Sequence, residues 1–310
     1  MKPLVVVIVG PTASGKTKLS IALAKRFNGE IVSADSMQIY RKLDIGTAKP
    51  SEEERDGVPH HMMDFLDPDR EYTLKQYLED ADACVRDILR RGKLPIIVGG
   101  TGLYVTSFMN NLSLDDEPVN GEVRKKLESE FDLFGGEEML ERLRAIDPEL
   151  ASRLFPKDRK RILRGLEVFL NTGVTQSEQN RKAMEQESPY RFLCFGLTAE
   201  NRDFLYDRIN LRVDLMMEAG LLDEVRSLGS QCSRTARQAI GYRQFEPFLT
   251  GECSLAEAVE RVKKESRNYA KRQLTWFRRD KRIQWHSIDV EDFDNILNSC
   301  SESMVKSIEV

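Results

Sequence analysis

The feature that most constrains the fold is an apolar run that leads directly into a glycine-rich loop near the amino terminus, LVVVIVGPTASGKT. Leu4–Val9 is continuous, apolar and rich in β-branched residues, which predicts a strand buried on both faces of a parallel sheet. Gly10–Thr17 fits the pattern G-x-x-x-x-G-K-[ST], and a helical pattern over Lys16–Arg26 follows it. Strand, loop and helix occur in the order that a phosphate-binding loop requires, so the sequence predicts phosphate binding.

Each part of this loop supplies a different interaction with a phosphate. Glycine lets the backbone approach the anion, and the amide hydrogens at the start of the helix face its charge. Lys16 adds a cation, and the Thr17 hydroxyl is expected to bind Mg²⁺. The residues expected to hold the phosphates are Gly10, Pro11, Thr12, Ala13, Ser14, Gly15, Lys16 and Thr17.

Two more strand-like runs alternate with helical patterns and indicate a doubly wound α/β fold. The runs are EIVSADS and KLPIIVGG (93–100), and the amphipathic pattern of Leu74–Arg91 predicts a helix between them. Ligands bind beyond the carboxyl ends of the strands in such folds. The loops expected to converge there are Gly10–Thr17, Ser33–Gln38 and Gly99–Tyr104.

Asp35 follows the second of these strands, and its position alone leaves its role open. A carboxylate there could bind Mg²⁺, act as a general base or cap its own loop. The run PIIVGG has no Asp at its end, where a motor NTPase usually carries one, so a site that activates water for ATP hydrolysis is poorly supported. Asp35 and Thr101 are therefore the main polar groups expected to perform acid–base chemistry.

The pattern changes around Asp115, where the acidic, turn-rich sequence LDDEPVN interrupts the α/β alternation. Val123–Leu170 shows only helical spacing, strand-like composition returns at Arg191–Leu197, and a helical pattern covers Phe204–Met217. We expect a core like that of P-loop NTPases, a parallel sheet flanked by helices, with a helical insertion domain that binds RNA. The expected boundaries are 1–114 and 189–310 for the core and 115–188 for the insertion.

Composition excludes several classes of protein. The five cysteines are scattered without a CxxC pair, and with three histidines they form no zinc-binding set. The apolar run at the amino terminus has six residues, too few for a membrane span or the core of a signal peptide. We therefore expect a cytoplasmic protein with reduced thiols and no membrane association. A monomeric state is a separate expectation.

The net charge of −4 hides two basic segments. Arg153–Arg164 contains six basic residues and one acid, and Arg261–Arg282 contains ten basic residues and two acids. The second segment also contains Tyr269, Trp276 and Phe277. Charge runs are most often solvated helix faces, but cations interleaved with flat side chains suit the phosphates and unstacked bases of an RNA loop. RNA binding is the prediction for these segments.

Taken in order, the motifs resemble those of the bacterial tRNA dimethylallyltransferases, also called tRNA isopentenyltransferases. The matching motifs are GPTASGKT, SADSMQIYRKLDIGTAKP, PHHMMDFLDP, VGGTGLY, DRKRILRGLEV, GYRQ and AKRQLTWFRR. They extend from Gly10 to about Trp285, and DSMQIYRKLDIGTAKP with KRQLTWFR is the specific part, because many families share the phosphate loop. The chain departs at Gly165, where the family often has alanine, and at Ser266, where threonine is frequent. Neither departure is expected to touch the chemistry.

The resemblance implies transfer of a dimethylallyl group from dimethylallyl diphosphate to the exocyclic amine of an adenosine in tRNA. That adenosine lies immediately 3′ of the anticodon in tRNAs that read codons beginning with U, so the implied partner is the anticodon stem-loop. Asp35 matches the base that acts on the amine, and Arg208 and Arg212 match a helix that faces the diphosphate. The residues expected to contact RNA are Asp35, Ser36, Met37, Gln38, Thr101, Arg124, Lys160, Arg161, Arg164, Gln238, Gly241, Tyr242, Arg243, Lys271 and Arg272.

Two other functions stay open when the residues are taken without the resemblance. A P-loop small-molecule kinase would hold ATP in the loop and use the insertion as a lid over its acceptor. A non-catalytic RNA-binding module would change its affinity for tRNA with a bound nucleotide. The basic, aromatic segment together with Asp35 argues against the kinase, and release of diphosphate during a reaction would exclude the module.

Overall fold

Strand β1 (Leu4–Val9) lies inside a six-stranded sheet, and its six residues are buried, as the apolar, β-branched sequence predicts. The chain is described by a computed structural model over residues 1–112, 121–184, 187–228 and 232–309. Two parallel strands, Leu94–Gly99 and Arg191–Thr198, hydrogen bond to the two edges of β1. With a partner on each side, the backbone groups of this buried strand are satisfied.

The remaining strands are parallel to these and complete a sheet of the expected α/β type. In chain order they are β2 (Gly29–Ser33), β3 (His60–His61), β4 (Leu94–Gly99), β5 (Arg191–Thr198) and β6 (Ile283–Ser287). The spatial order is β3-β2-β4-β1-β5-β6. The edge strands β3 and β6 lack a continuous apolar run, and the sequence did not predict them. The strand expected third, at 93–100, is therefore the fourth.

The helices predicted at Lys16–Arg26, Leu74–Arg91 and Phe204–Met217 are present with nearly these bounds, and the helical spacing of Val123–Leu170 corresponds to three helices. The other helices were not predicted with bounds. In the described part of the chain the helices are α1 (Lys16–Arg26), α2 (Glu52–Arg55), α3 (Leu74–Arg90), α4 (Gly102–Met109), α5 (Gly121–Ile146, interrupted at Gly135), α6 (Pro148–Ala151), α7 (Arg159–Thr172), α8 (Gln176–Met184), α9 (Arg202–Glu218), α10 (Leu221–Leu228), α11 (Arg234–Arg237), α12 (Glu246–Leu249), α13 (Leu255–Phe277) and α14 (Phe293–Ile308). A 3-10 turn spans Arg243–Phe245. Capping boxes at Thr73 and Ser254 fix the starts of α3 and α13.

Helices cover both faces of the sheet. On one face α1 and α14 bury Leu23 and Met304, and on the other α3 and α4 bury Val85 and Phe108. Side chains of β1 alternate between these two layers, as the period of a strand requires. The carboxyl end of the sheet, between the two layers, is the end at which the phosphate loop lies.

The backbone forms two compact units, Met1–Met109 with Pro189–Val310, and Asn110–Ser188. The described part of the second unit is helical and has its own apolar core, which includes Leu127, Met139, Leu143, Ile162 and Leu166. Gly165 belongs to this core, where an added Cβ would lie 2.7 Å from a methyl group of Leu150. The sequence LDDEPVN and the boundary expected at Asp115 fall outside the described residues. In the described residues, no helix has the length and apolar character needed to cross a membrane.

Glu30 of β2 is a buried carboxylate, 2 % exposed, with two cations and a histidine beside it. Arg91 donates to both of its oxygens at 2.5 and 2.7 Å, Lys93 donates at 2.7 Å, and His61 Nε2 lies 2.7 Å away. These hydrogen bonds, those from Arg91 above all, hold the pKa of Glu30 well below its ordinary value although burial acts in the opposite direction. The cluster ties the end of α3 and the edge strand β3 to β2.

Replacement of Glu30 by glutamine removes the charge that these cations share. We expect the free energy of unfolding at pH 7 to fall by about 2–3 kcal/mol, because hydrogen bonds to a buried charge are lost. Both tryptophans lie in the first unit, so urea unfolding followed by tryptophan fluorescence measures this change. The exposed Glu53→Gln variant is the control and should change the free energy by less than about 0.5 kcal/mol.

The difference between wild type and Glu30→Gln also depends on pH. Because the folded-state pKa lies below the unfolded value of about 4.3, the stabilisation is complete above that value and is lost as pH falls through the folded-state pKa. Unfolding free energies of the two proteins should therefore converge as the solution is acidified below about pH 4. A constant difference down to pH 2.5 would contradict this account of the cluster.

Candidate active site

The phosphate loop turns sharply at the end of β1 and leads into α1. At Gly10, φ is +147° and an added Cβ would lie 2.6 Å from the backbone oxygen of Leu197 on β5. Gly15, the residue before α1, has φ +91°. These two positions need glycine, because one has no room for a side chain and both have backbone conformations that L residues rarely adopt. The amides at the start of α1 lack intrahelical acceptors and suit an anion.

Lys16 is held inside the loop by the loop itself. Its Nζ donates to the carbonyl oxygens of Gly10 at 3.0 Å and Pro11 at 2.7 Å. Burial, followed by the charge of Arg212, lowers the pKa of Lys16 to about 7, and Asp35 acts in the opposite direction. A phosphate would supply the missing negative charge and favour the cationic form of this lysine.

Two arginines of α9 approach the same loop from one side. They are four residues apart and so share a face of the helix. Arg208 Nε donates to the carbonyl oxygen of Ala13 at 2.9 Å, and Arg212 Nη1 lies 3.5 Å from Thr12 Oγ1. Burial lowers the pKa of the Arg212 guanidinium below its ordinary value. The structure therefore gathers Lys16 and these arginines at the place where the sequence predicts phosphate.

Gln273 of α13 connects the phosphate loop with the end of β4, and the sequence did not single it out. Its Oε1 accepts from the Thr12 amide at 2.9 Å, and its Nε2 donates to the carbonyl oxygen of Gly100 at 3.0 Å. The side chain is buried, so these hydrogen bonds satisfy it in the interior. The signal was a polar residue on the apolar face of α13, because the buried residues of that helix include Val262, Ala270 and Phe277.

Asp35 lies in the loop that follows β2. Its Oδ1 accepts from the amides of Met37 at 2.9 Å and Gln38 at 3.3 Å. In the part of the chain that is described, no donor is within hydrogen-bond distance of Oδ2, which leaves that oxygen for a ligand. Thr101 holds the neighbouring residue, because its Oγ1 accepts from the Ser36 amide at 3.0 Å. Asp35 is thus both a loop cap and an available acceptor.

The loops after β1, β2 and β4 meet at one cavity of about 320 Å³, as the sequence predicts. Polar residues in its wall include Lys16, Thr17, Asp35 and Arg212. Its apolar wall consists of Ile209, Val213, Met216, Ile240 and Val262. A space of this size with one apolar side accommodates a small, partly hydrophobic molecule.

An open groove of about 1330 Å³ on the other side of the loop shares Lys16, Thr17 and Arg212 with the cavity. Arg208 lines this groove and not the cavity. Ser266, where the family often has threonine, lines the cavity, and its expected lack of a role in the chemistry stays a prediction.

The RNA-contacting residues predicted in the first unit occupy three kinds of position. Ser36, Met37, Gln38, Gln238 and Arg272 line the cavity. Arg243 and Lys271 are exposed outside it. Gly241 and Tyr242 are buried, and the Tyr242 hydroxyl donates to Glu224 at 2.6 Å. The last two residues therefore support the loop structure around the cavity, and direct contact with RNA stays a prediction for all of them.

The aromatic residues of the second basic segment do not form one stacking surface. Phe277 is 2 % exposed in the core below the sheet, so the expectation that it meets a base was wrong. Trp276 donates to Thr106 Oγ1 at 2.9 Å and packs on Gly102, which leaves it 41 % exposed. Tyr269 lines the cavity. The helical period of α13 turns these side chains in different directions, which a count of aromatics in a run cannot show.

In the second unit, acidic neighbours engage two of the arginines predicted to contact RNA. Arg124 pairs with Glu128 at 3.0 Å and with Glu167 at 3.4 Å, and Arg164 also reaches Glu167 at 3.4 Å. Lys160 and Arg161 are exposed, and no acidic partner for them occurs among the described residues. Among the described RNA-contacting residues predicted in this unit, these two are the ones without an acidic partner. Lys157 of the same segment is exposed as well and lies over the ring of Phe155.

Comparison with known proteins gives a family that accounts for this arrangement. The family model described as IPP transferase matches residues 38–280, and that described as isopentenyl transferase matches residues 3–69. The chain belongs to the IPP transferase family. A tRNA dimethylallyltransferase of Halalkalibacterium halodurans is 46 % identical over 296 residues, 95 % of this chain and 94 % of that relative. Another, of Bacillus licheniformis, is 48 % identical over 286 residues, covering 92 % and 90 %.

Solved structures of the family share the fold along the whole chain. The full-length tRNA isopentenylpyrophosphate transferase of Bacillus halodurans has a TM-score of 0.74 at 42 % identity, covering 100 % of this chain and 97 % of that one. A eukaryotic dimethylallyltransferase acting on tRNA has a TM-score of 0.82 at 31 % identity, covering 98 % of this chain and 80 % of that one.

The link made by Gln273 can be tested with inorganic diphosphate as the probe. In Gln273→Leu the Thr12 amide and the Gly100 carbonyl lose a buried partner, so the loop is no longer held for an anion. We expect the Kd for inorganic diphosphate, measured by calorimetry with Mg²⁺ present, to rise about fivefold or more. Thr275→Val changes an exposed neighbour on α13 and should leave the Kd within twofold. An unchanged Kd in Gln273→Leu would show that the loop holds its conformation without this glutamine.

Proposed function

We propose that this protein transfers a dimethylallyl group from dimethylallyl diphosphate to the exocyclic amine of an adenosine in tRNA and releases diphosphate. The acceptor proposed is the adenosine immediately 3′ of the anticodon in tRNAs that read codons beginning with U. The observation that carries the proposal is the placement of Asp35 and the phosphate loop in the wall of one cavity. A base for the acceptor and cations for the leaving group thus face the same small space.

The cationic side of the cavity suits departure of a diphosphate. As the bond between the allylic carbon and its oxygen breaks, the electron pair stays with the diphosphate and its charge grows. The amides at the start of α1, with Lys16 and Arg212, lie where they would stabilise that charge. The apolar wall that includes Val213 and Val262 suits the hydrocarbon chain of the donor.

The carboxylate side suits the acceptor. The lone pair of an adenine amine is delocalised into the ring, so its attack on carbon needs removal of a proton as the new carbon–nitrogen bond forms. Asp35 Oδ2 would accept that proton, while Oδ1 stays fixed by the amides of Met37 and Gln38. Thr101 would hold this loop in place by accepting a hydrogen bond from the Ser36 amide. Moving an adenine out of its stack costs less free energy in a loop than in a duplex, which favours an adenosine of the anticodon loop as the acceptor.

Mg²⁺ is the proposed cofactor, and the residues present fit it. The Thr17 hydroxyl lies beside Lys16 in the cavity wall, and Mg²⁺ at phosphates commonly takes one protein oxygen with waters and phosphate oxygens. Among the described residues, no group of three His, Cys, Asp or Glu side chains could hold a metal by itself. Thr17 would therefore hold the ion together with the substrate, where it would neutralise charge on the leaving group.

The proposal also covers the oligomeric state and the cellular compartment. We propose a monomer, because the residues assigned to the cavity all belong to one chain. The cytoplasm, where tRNA is used, is the compartment proposed.

The direct test is incubation of the protein with unmodified tRNA, dimethylallyl diphosphate and Mg²⁺, followed by mass spectrometry of the digested nucleosides. The expected product is isopentenyladenosine, formed with one diphosphate per modified adenosine. A reaction with ATP as the only phosphate donor is the control for kinase activity. Phosphoryl transfer from ATP without prenylated nucleoside would overturn the proposal.

If Asp35 is the base, the Asp35→Asn variant should lose turnover but keep its affinity for both substrates. Asp35→Asn keeps an oxygen for the amides of Met37 and Gln38 but cannot take the proton. We expect kcat to fall about 10²–10⁴-fold, with the Kd values for donor and tRNA within threefold of wild type. Single-turnover kinetics and separate binding measurements check this. Asp67→Asn, at an exposed carboxylate paired with Arg41, is the control, and normal turnover in Asp35→Asn would remove Asp35 from the mechanism.

Because the cations of the second unit are exposed, we expect their removal to change the KM for tRNA and not the KM for the donor. Arg161→Ala should raise the apparent KM for tRNA about fivefold and lower the slope of log KM against log salt concentration by about 1, because one phosphate contact is lost. The KM for dimethylallyl diphosphate should not change. Arg153→Ala, in the same segment but paired with Glu149 at 2.7 Å, is the control. If donor KM rose instead, the assignment of this segment to RNA would be wrong.

A further inference from the structure

We infer that Glu224 of α10 is a positioning residue for the reaction, although it does not line the cavity. It holds the backbone of residues 44–46, which leads into the part of the cavity wall formed by residues 46–48, and through Gln38 it positions the loop that carries Asp35. The inference rests on the proposed function, because prenyl transfer is the activity by which it is measured.

The Glu224 carboxylate accepts hydrogen bonds from four donors. Its Oε2 accepts from the amides of Asp44 at 2.9 Å and Ile45 at 2.8 Å. Its Oε1 accepts from the Gly46 amide at 3.0 Å and from the Tyr242 hydroxyl at 2.6 Å. Three consecutive amides thus converge on one side chain that lies far away in sequence. A carboxylate has acceptor sites for all four donors, whereas a glutamine has one oxygen.

Close packing between Gly46 and Tyr242 restricts the position of this segment. An added Cβ on Gly46 would lie 2.5 Å from the ring of Tyr242, so backbone and ring are in direct contact. Tyr242 is 5 % exposed, and burial together with the Glu224 carboxylate raises the pKa of its hydroxyl. The hydroxyl therefore stays protonated and donates to Glu224. Gly46, Thr47 and Ala48 then form the wall of the cavity.

Gln38 joins this wall to the proposed base. Its Nε2 donates to the carbonyl oxygens of Thr47 at 3.1 Å and Ala48 at 3.2 Å. Its own backbone amide donates to Asp35 Oδ1 at 3.3 Å. A shift of the segment that Glu224 holds would therefore move Gln38, and with it the carboxylate that takes the proton. Displacement of a catalytic group by about 1 Å can lower a rate about 10²-fold.

The phosphate loop has a separate support. Gln273 holds Thr12, and Arg208 holds Ala13, and neither of these contacts involves the segment fixed by Glu224. Loss of Glu224 should thus affect the step that needs Asp35 and leave donor binding nearly unchanged. This split between kcat and donor KM distinguishes a positioning residue from one that only stabilises the fold.

The first experiment compares Glu224→Gln with Asp223→Asn, the adjacent carboxylate on the exposed face of α10. Assays are run at least 15 °C below each variant's measured Tm, so that both proteins are folded. We expect kcat of Glu224→Gln to fall about tenfold or more, the KM for dimethylallyl diphosphate to stay within threefold, and Asp223→Asn to match wild type. Equal kcat values for the two variants would overturn the inference.

The second experiment combines Glu224→Gln with Gln38→Ala. Both changes release the same segment, so the double variant should lose little more kcat than the more affected single variant. Multiplication of the two losses would mean that the residues act independently and would overturn the inference. If Glu224→Gln does not fold, Tyr242→Phe removes one of the four hydrogen bonds, and its smaller loss of kcat should be non-additive with Gln38→Ala in the same way.

Wild-type protein distinguishes the two possible failures. No prenyl transfer by wild type under any tested condition means that the proposed function fails. Prenyl transfer by wild type at an undiminished rate in Glu224→Gln means that the function holds and the role given to Glu224 fails.

Discussion

The sheet and the site both depend on the burial of β1. A strand covered on both faces must have each backbone group satisfied by neighbouring strands, and β4 and β5 provide this on its two edges. The chain can then leave the sheet only at the carboxyl end of β1, and the contact of Gly10 with β5 directs it into a tight turn. The phosphate loop is therefore a consequence of how the central strand is enclosed. The loops that follow β2 and β4 reach the same edge because their strands are parallel to it.

Three side chains hold the loops around the cavity in place through hydrogen bonds. Gln273 fixes the start of the phosphate loop, Gln38 fixes the wall opposite, and Thr101 fixes the turn between them. Gln273 and Thr101 join segments that are distant in sequence, Gln38 joins two parts of one loop region, and all three use neutral hydrogen bonds. Polar groups that are already oriented need no reorganisation when charge develops, which is the main electrostatic contribution of an active site. Among the described residues, the wall of the cavity contains the cations Lys16, Arg212 and Arg272 and the carboxylate of Asp35.

The sequence predicts those features of fold and site that rest on local pattern. Leu4–Val9, Gly10–Thr17 and the helix at Leu74 follow from apolar period and loop chemistry, and the structure has them within a residue or two. Strands β3 and β6 cannot be predicted from local pattern, because their pairing depends on neighbouring strands and not on their own composition. Gln273 and Glu224 act through hydrogen bonds across more than 170 residues of sequence, which no local pattern encodes. The sequence shows that the two segments are basic. It does not show which of their cations form ion pairs, because the acidic partners lie on neighbouring helices.

The position of β5 in the chain has a consequence for synthesis on the ribosome. Strands β1, β2 and β4 are complete once Gly99 has emerged, but β1 lacks its second neighbour until Thr198 follows. At about 5–20 residues per second, the intervening stretch of roughly 100 residues takes about 5–20 s to make. During that interval an apolar strand with an open edge is available to pair with other chains, which is a route to aggregation. The length of the second unit thus sets how long this strand edge stays unpaired during synthesis.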